Sequence, residues 1–502
     1  MKGVSGNTGV NPYTTYEKYL CNNIIFNFNF IIMKTITKKD LFKVFLLFFL
    51  LTGAKSYAVS GSGSVDNPFL MSSVADLLTI NDHLGDPNVF FKLTSDIDFA
   101  GEADWVPIGV WNGSDFSQIF LGTLDGNGHV IKNIVINRPD IDADCGFFRG
   151  LNGPAKIRNL GFIGENASII GRSITGTITG YAELGDESNP VEITNCYSTV
   201  SLTGGFGTGG LIGLTKGTIV SNCFATGNIT STVKAAGGLI GSVNDGAQIN
   251  NCYSTGNIEV LTSGQGWDAG SLIGVMSGES SKIINSYATG SVIASQCAGG
   301  ILGVINDNAG IEGCFAISRS LTSLRVNRIV AVNTSSNLVN NYSFANIEIV
   351  ASSHDSIEGE TTQNGLSKTK EEVTTQATYG PTGLNWDFTN VWEWPTTAYK
   401  LPVLRGLANQ PTSLPSHLNS ASGIDDTSAN LTWNVYPNPT ANIVNIQGSA
   451  VNNLKLLDFI GKAISLPDFQ KGNNFVTIDL STYPKGVYFI QVNESTLKVI
   501  KK

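Results

Sequence analysis

The 502-residue chain sets 31 Lys+Arg against 40 Asp+Glu, a formal charge of −9, which makes nucleic acid and anionic membrane surfaces poor partners. Charged residues reach only 14% while hydrophobic ones hold 41%. That balance excludes compositional disorder and leaves Gly, Ser, Thr and Asn to punctuate many short strands.

The first organised segment begins at Met33. Lys34, Lys38 and Lys39 precede the apolar run "LFKVFLLFFLL", and Ser56-Tyr57-Ala58 offers a small-residue cleavage site. This is the layout of a secretory signal peptide over Met33–Ala58, with residues 1–32 reading as an over-extended start. The apolar run falls short of the ~18 residues of a membrane-spanning helix, and no later stretch reaches that length, so no transmembrane helix is expected in the mature chain. Export permits disulfides among the 7 cysteines without requiring any.

Residues 59–110 read as an N-terminal cap and first coils. "GSVDNPFLMSSVADLLTINDH" places Ser72 or Ser73 as the N-cap of a short helix carrying Val74, Leu77 and Leu78. "VFFKLTSDIDFAG", "DWVPIGVW" and "FLGTLDGNGHVIKNIVI" follow as strands.

From 111 to 350 the chain repeats itself. "ITNCYSTV" at 193, "VSNCFATGNI" at 220, "INNCYSTGNI" at 249 and "IINSYATGSV" at 283 line up, with weaker copies "IEGCFAIS" at 311 and "VNNYSFANIEI" at 339. Their corner residues Asn195, Asn222, Asn251, Asn285, Gly313 and Asn340 are spaced by 27, 29, 34, 28 and 27. "GGLIG" at 209 and 237, "GSLIG" at 270 and "GGILG" at 299 recur in step. No unit shows helical apolar spacing, and Gly and β-branched residues crowd the motifs. Pairs of short strands that cannot bury their own apolar faces must stack, which predicts an all-β parallel β-helix. Glycine is expected at φ > 0 corners and close strand approaches. Seven to nine coils at about 4.8 Å would make a rod of roughly 35–45 Å.

These motifs resemble the GLUG repeat of bacterial surface and secreted proteins, over roughly residues 105–345. Some IgA-specific metallopeptidases and large adhesins carry such repeats. The resemblance therefore implies a right-handed β-helix without fixing an activity.

Residues 351–407, with "SKTKEEVTTQATYG" and "LNWDFTNVWEWPTTAYKLPVL", read as the closing cap, and the aperiodic stretch 408–430 as a linker. Residues 431–502 change style to alternating strands divided by turns, a small antiparallel β-sandwich. Three motifs carry a resemblance to the type A sorting domain of the type IX secretion system. They are Tyr436-Pro437-Asn438-Pro439, the Asp458…Gly461-Lys462 turn, and the Leu480…Gly486-Val487-Tyr488 strand, followed by a basic end from Lys498 to Lys502. The resemblance implies passage through the periplasm and across the outer membrane, with the secretion machinery as partner. The cargo is then released or held at the cell surface.

Chemistry is sparse in the motifs. The four histidines are His83, His129, His354 and His417, and none stands in an HExxH run. No CxxC, P-loop or GxSxG elbow occurs, and no cofactor or metal is expected. Asp125 and His129 in "LDGNGHVI" form an acid/base pair or, as favoured here, the two ends of a β-turn with Gly126 and Gly128 at positive φ. Asp96/Asp98 and Asp142/Asp144 fit solvated turns better than a calcium loop.

The binding feature favoured by the pattern is an aromatic column: Tyr197, Phe224, Tyr253, Tyr287, Phe315 and Tyr342. Pointing outward, it would suit stacking on glycans or surface proteins; pointing inward, it would be core. Alternation sets it opposite the column Cys196, Cys223, Cys252, Ser286, Cys314 and Asn341, which favours the outward phase. Replacement by Ser and Asn argues against a nucleophile or ligand role for the thiols, while disulfides between rungs stay open. Two functions follow. One is a non-catalytic adhesin, not separable by sequence from a structural surface-layer component. The other is a β-helix polysaccharide lyase or hydrolase with a groove near the insertions 181–190 or 261–268.

Overall fold

Asparagine sets the corner of each coil. In the computed structural model, Asn133, Asn159, Asn195, Asn222, Asn251, Asn285 and Asn340 all hold φ between 50° and 55°, and Gly313 takes the same place at 62°. This left-handed conformation costs most L-residues about 1–2 kcal/mol, and Asn tolerates it best. The repeated corner thus belongs chiefly to asparagine, while glycine takes positive φ at other turns such as Gly164, Gly217, Gly246 and Gly278, and the asparagine side chain has a second task. Asn195 donates Nδ2 to Asn159 Oδ1 at 3.0 Å, Asn222 to Asn195 at 3.2 Å and Asn251 to Asn222 at 3.3 Å. The motif glycines serve close approach instead: a Cβ on Gly237 would lie 2.0 Å from the Ile240 carbonyl oxygen.

The structure describes residues 59–110, 116–140, 144–183, 189–261, 268–334 and 336–419. In the tail it describes 434–436, 440, 442–447, 454–458, 462–465, 469–471, 475–492 and 495–502. The signal segment before residue 59 lies outside them. Two compact units divide at Leu418/Asn419.

The first unit is a parallel β-solenoid. One coil runs through Ile219–Ser221, the Asn222 corner, Phe224–Ala225, Ile229–Ser231, Ala236–Gly237 and Ile240–Asn244. Each strand pairs in parallel with its counterpart one coil on, as in Val220↔Ile249 and Ile240↔Ile273. Among the described residues these strands build two ten-stranded sheets, one of thirteen and one of seven. The thirteen-stranded sheet consists of two columns joined by the long strand Ser320–Asn327. Inward positions such as Ile193, Val220, Ile249, Ile283 and Ile311 are fully buried and form one apolar spine.

Both ends are closed. Ser73 Oγ accepts from Asp76 N at 3.2 Å to start the helix Val74–Leu78, while the Asp76 carboxylate binds Ser72 N at 2.8 Å. Trp105 N donates to Val135 O at 2.8 Å, so the segment around it covers the first strands. At the other end Thr369 and Glu372 form a capping box on the helix Lys370–Val373. Residues 376–418 then fold back along the solenoid flank as a strap. Residues 408–418, expected as linker, belong to this strap, and Leu418 is only 1% exposed. They dock through isolated contacts, which leave no periodic trace.

The second unit holds two four-stranded antiparallel sheets among its described residues, around Val444, Ile446, Leu456, Ile478, Ile490 and Val499. No helix among the described residues is long and apolar enough to cross a membrane.

Candidate functional site

The aromatic column is built as its spacing predicts. Tyr197, Phe224, Tyr253, Tyr287, Phe315 and Tyr342 occupy one register in successive coils. The first four rings stack at centroid distances of 4.8, 4.9 and 4.9 Å, within 10° of parallel. The neighbouring Ser254 Oγ reaches the buried Ser271 carbonyl, whereas the rings meet the strap. All six are nonetheless at most 6% exposed.

The chain's own strap occupies the face that the sequence offered to a ligand. Trp392 lies 6.4 Å from Tyr253 and 6.0 Å from Tyr287, and Trp386 stacks on Trp392 at 4.6 Å. The phenols are claimed too. Tyr287 Oη donates to Pro402 O at 2.8 Å and lies 3.0 Å from Tyr399 Oη. Tyr253 Oη donates to Gln410 Oε1 at 3.1 Å, and Tyr197 Oη accepts from Asn409 Nδ2 at 2.8 Å. Burial holds the Tyr253 and Tyr287 hydroxyls well above the usual tyrosine range.

The opposing column faces the interior. Cys196 N donates to Cys223 Sγ at 3.4 Å, Cys252 N to Ser286 Oγ at 3.0 Å and Cys314 N to Asn341 Oδ1 at 3.0 Å. Each column residue also donates to a nearby carbonyl, as Ser286 Oγ does to Ile284 O at 2.9 Å. The position needs one small acceptor and one donor, and Cys, Ser and Asn all supply them. The six described cysteines are free. Burial raises the Cys196 and Cys223 thiols well above their ordinary range and pushes Cys314 up to about 12, which withholds the thiolate a nucleophile requires.

A cleft of about 390 Å³ opens where the strap leaves the aromatic column. Thr255, Asn257, Thr289 and Ser291 line its solenoid side, Arg319 stands one coil further on, and Tyr399, Leu414 and His417 line the strap side. These solenoid residues come from "TGN" and "TGS" in successive coils. The central glycine is required, since a Cβ on Gly290 would sit 1.8 Å from the Gly256 carbonyl oxygen. Asn257 Oδ1 accepts from Ser291 N at 3.0 Å, which fixes its amide along the wall. His417 Nε2 lies 2.8 Å from Ile317 O and therefore donates to it. Burial, helped by the Arg319 and Lys370 charges, lowers the pKa of its ring. The sequence reading missed this cleft, although the recurring T-G-N/S triplet was in the quoted motifs.

The other candidates separate. Asp125 and His129 do not pair. Asp125 accepts from Asn127 N at 2.8 Å, Asn159 Nδ2 at 3.0 Å and Arg158 Nε at 3.0 Å. Burial pushes its carboxyl up, but these partners prevail and hold it below the usual range. His129 Nδ1 instead lies 3.3 Å from Asp96. The positive φ values of this turn fall on Asn127 at 53° and Gly128 at 83°, not on Gly126. Asp96 is bound by Lys132 at 2.8 Å, and Asp98 by Asn133 at 2.8 Å. No group of three or more His, Cys, Asp or Glu able to hold a metal occurs among the described residues. Asp142 and residues 184–188 and 262–267 of the insertions lie outside them.

In the tail, Tyr436 ends the strand Asn434–Tyr436, while Pro437, Asn438, Pro439 and Gly461 lie outside the described residues. Lys462 N donates to Asp458 Oδ1 at 2.9 Å, closing the expected turn. Gly486 opens the strand Gly486–Val492, on which Tyr488 is buried and donates to Pro484 O at 2.7 Å. Lys501 turns inward, and its ammonium donates to the carbonyls of Leu480, Ser481 and Tyr483.

Two curated proteins are similar over parts of the chain. Halomucin of Haloquadratum walsbyi is 33% identical over 165 residues, 31% of this chain and 2% of that protein. A protein of Evansella cellulosilytica provisionally described as a Gly-rich membrane protein is 31% identical over 131 residues, 25% of this chain and 14% of its own length. The chain thus spans a small part of either. Among solved structures, a Bacteroides ovatus protein provisionally described as an immunoglobulin A1 protease is similar at a TM-score of 0.46 and 24% identity, covering 69% of this chain and 94% of that one. An IgA1 protease is similar at 0.45 and 17%, covering 62% and 24%. The tail gives the decisive match, since residues 434–502 match the family described as the secretion system C-terminal sorting domain. The chain is therefore a secreted β-solenoid protein, marked by its C-terminal sorting domain for the cell surface or the extracellular space.

Proposed function

We propose that the exported chain is a non-catalytic binding protein of the adhesin kind, and that the cleft beside the strap takes a glycan. On this reading the Met33–Ala58 signal brings the chain to the periplasm. The tail then engages the type IX machinery, which carries it across the outer membrane. The observation that supports the binding role is the cleft lining. Its hydroxyls and one fixed amide, from Thr255, Asn257, Thr289 and Ser291, stand in a row along the solenoid wall. Such a row of directed polar groups is what the hydroxyls of a sugar require, in a volume within the roughly 300–1,000 Å³ of small-ligand sites. Of titratable groups the lining offers Arg319, His417 and Tyr399, and both His417 Nε2 and Tyr399 Oη are already engaged. The aromatic column supports the site indirectly, by anchoring the strap that forms its second wall.

The alternative is a β-helix polysaccharide lyase or hydrolase, and one residue favours it. Burial raises the Asp268 carboxyl above its ordinary range, against the opposing pull of Cys297, Lys234 and Arg325, as a general acid would need. A glycan array with residues 59–502, run beside a reducing-sugar assay on the same glycans, separates the two. Binding without turnover is expected, and turnover of any bound glycan would overturn the non-catalytic reading.

A further inference from the structure

The repeat is broken at one corner of the cleft. In three successive coils a single glycine, Gly227, Gly256 or Gly290, joins the Thr of the triplet to the Asn or Ser that follows. The next coil reads Ile317-Ser318-Arg319-Ser320. Ladder pairing shows the extra residue directly: Tyr287 pairs with Phe315, 28 positions on, but Val292 pairs with Leu321, 29 positions on. The inserted residue makes room for a long side chain where the other coils allow none, and Arg319 is exposed on the lining of the cleft.

That guanidinium stands in a chain that carries −9 overall. Like Arg149, Arg172 and Arg325, and unlike Arg138, Arg158, Arg328 and Arg405, Arg319 forms no ion pair with a carboxylate among the described residues, so its charge is not neutralised by one. None of the other residues that line the cleft carries a carboxylate. The cleft therefore sets one fork of cationic donors at the end of a row of neutral hydroxyl and amide groups.

We infer that the cleft selects an acidic sugar, whose carboxylate is held by Arg319 and whose hydroxyls are met by Thr255, Asn257, Thr289 and Ser291. This rests on the glycan-binding reading above and adds the ligand's charge. Guanidinium and carboxylate match as parallel donors and acceptors, and the charge-assisted bonds are about twice as strong as neutral ones. A neutral sugar would keep the hydroxyl contacts and lose this end of the site.

The test titrates the 59–502 protein with trigalacturonate and with its fully methyl-esterified counterpart, which keeps the sugar hydroxyls and replaces each carboxylate by a neutral ester. Trigalacturonate should bind about tenfold or more tightly, with the preference eroding as salt rises. Arg319→Gln should bring the two affinities together by weakening the acid alone. Thr255→Val should weaken both ligands alike and keep the preference. Equal affinity of the intact protein for both ligands overturns the acidic-sugar assignment and leaves glycan binding standing. An acid preference that survives Arg319→Gln overturns the location. Binding of neither ligand overturns the assignment, and an empty glycan array beside it brings down the underlying reading as well.

Discussion

Cys252 and Tyr253 are neighbours, repeat with one period and face opposite ways, yet their columns follow different rules. The inner column passes through Cys, Cys, Cys, Ser, Cys and Asn from 196 to 341, because all that a rung must do is accept one N–H and give one hydrogen bond in a small space. The outer column stays aromatic at every rung. It has to meet the strap, whose tryptophans and tyrosines stack on it and whose carbonyl and amide groups take its phenols. Recurrence along a chain therefore has two causes, coil-to-coil hydrogen bonding and docking of a non-repeating segment, and substitutions tell them apart.

The strongest break is expected from Tyr287→Ala. It removes a fully buried ring and both of its phenol contacts, a loss of about 3–5 kcal/mol by analogy with other large-to-small core changes. Denaturant unfolding should record the loss, and limited proteolysis should cut within 376–418. An intact strap in this variant would show that the column does not anchor it. One rung inward, Ser286→Ala leaves the buried Cys252 N–H without its acceptor, at a cost of about 1–3 kcal/mol. Ser286→Cys should cost under about 1 kcal/mol, since cysteine fills the same office in neighbouring coils. Equal costs for the two variants would remove the hydrogen-bond account of the inner column.

At the corner between the columns, Asn251→Ala should cost about 1–2 kcal/mol, and Asn251→Gly less, because glycine keeps the backbone and loses only the ladder bond. The same midpoint shift for both would place the whole effect in the side chain. The smallest effect concerns pH. The pKa of His417 is lowered by burial in the folded state from an ordinary 6.5, with Arg319 and Lys370 adding to the shift and the Ile317 carbonyl opposing it. The unfolded chain then binds the proton more readily. This contribution is complete above about 6.5 and is lost as pH falls from there through the lower folded value. Proteolysis of the strap should rise modestly over that window and flatten in His417→Gln.

The solenoid was legible because its rules are local and repeat. Corner asparagines, "GGLIG" strands and the aromatic period all sit within one coil of their partners. The strap was not legible as a strap. Its contacts join residues as distant as Tyr197 and Asn409, one or two per coil, in a stretch with no period to betray them. The outward phase of the rings followed from alternation, but alternation is blind to what lies on top of them. The cleft was half visible. Thr255-Gly256-Asn257 and Thr289-Gly290-Ser291 stood in the quoted motifs, and "ISRS" at 317 departs from them by one residue. Only the opposite wall, from a segment expected to be cap and linker, turns those letters into a cleft.

The strap also counts coils. It touches Phe315 through Tyr379, Tyr287 through Tyr399, Tyr253 through Gln410 and Tyr197 through Asn409, then returns to Ile317 through His417. Arrays of near-identical units readily gain or lose a unit by recombination, and a bare solenoid would tolerate the change as a longer or shorter rod. Here a gained or lost coil between Tyr197 and Phe315 would move every later partner about 4.8 Å along the axis and leave the strap out of step. The aperiodic segment thus ties its own register to the number of coils between Tyr197 and Phe315.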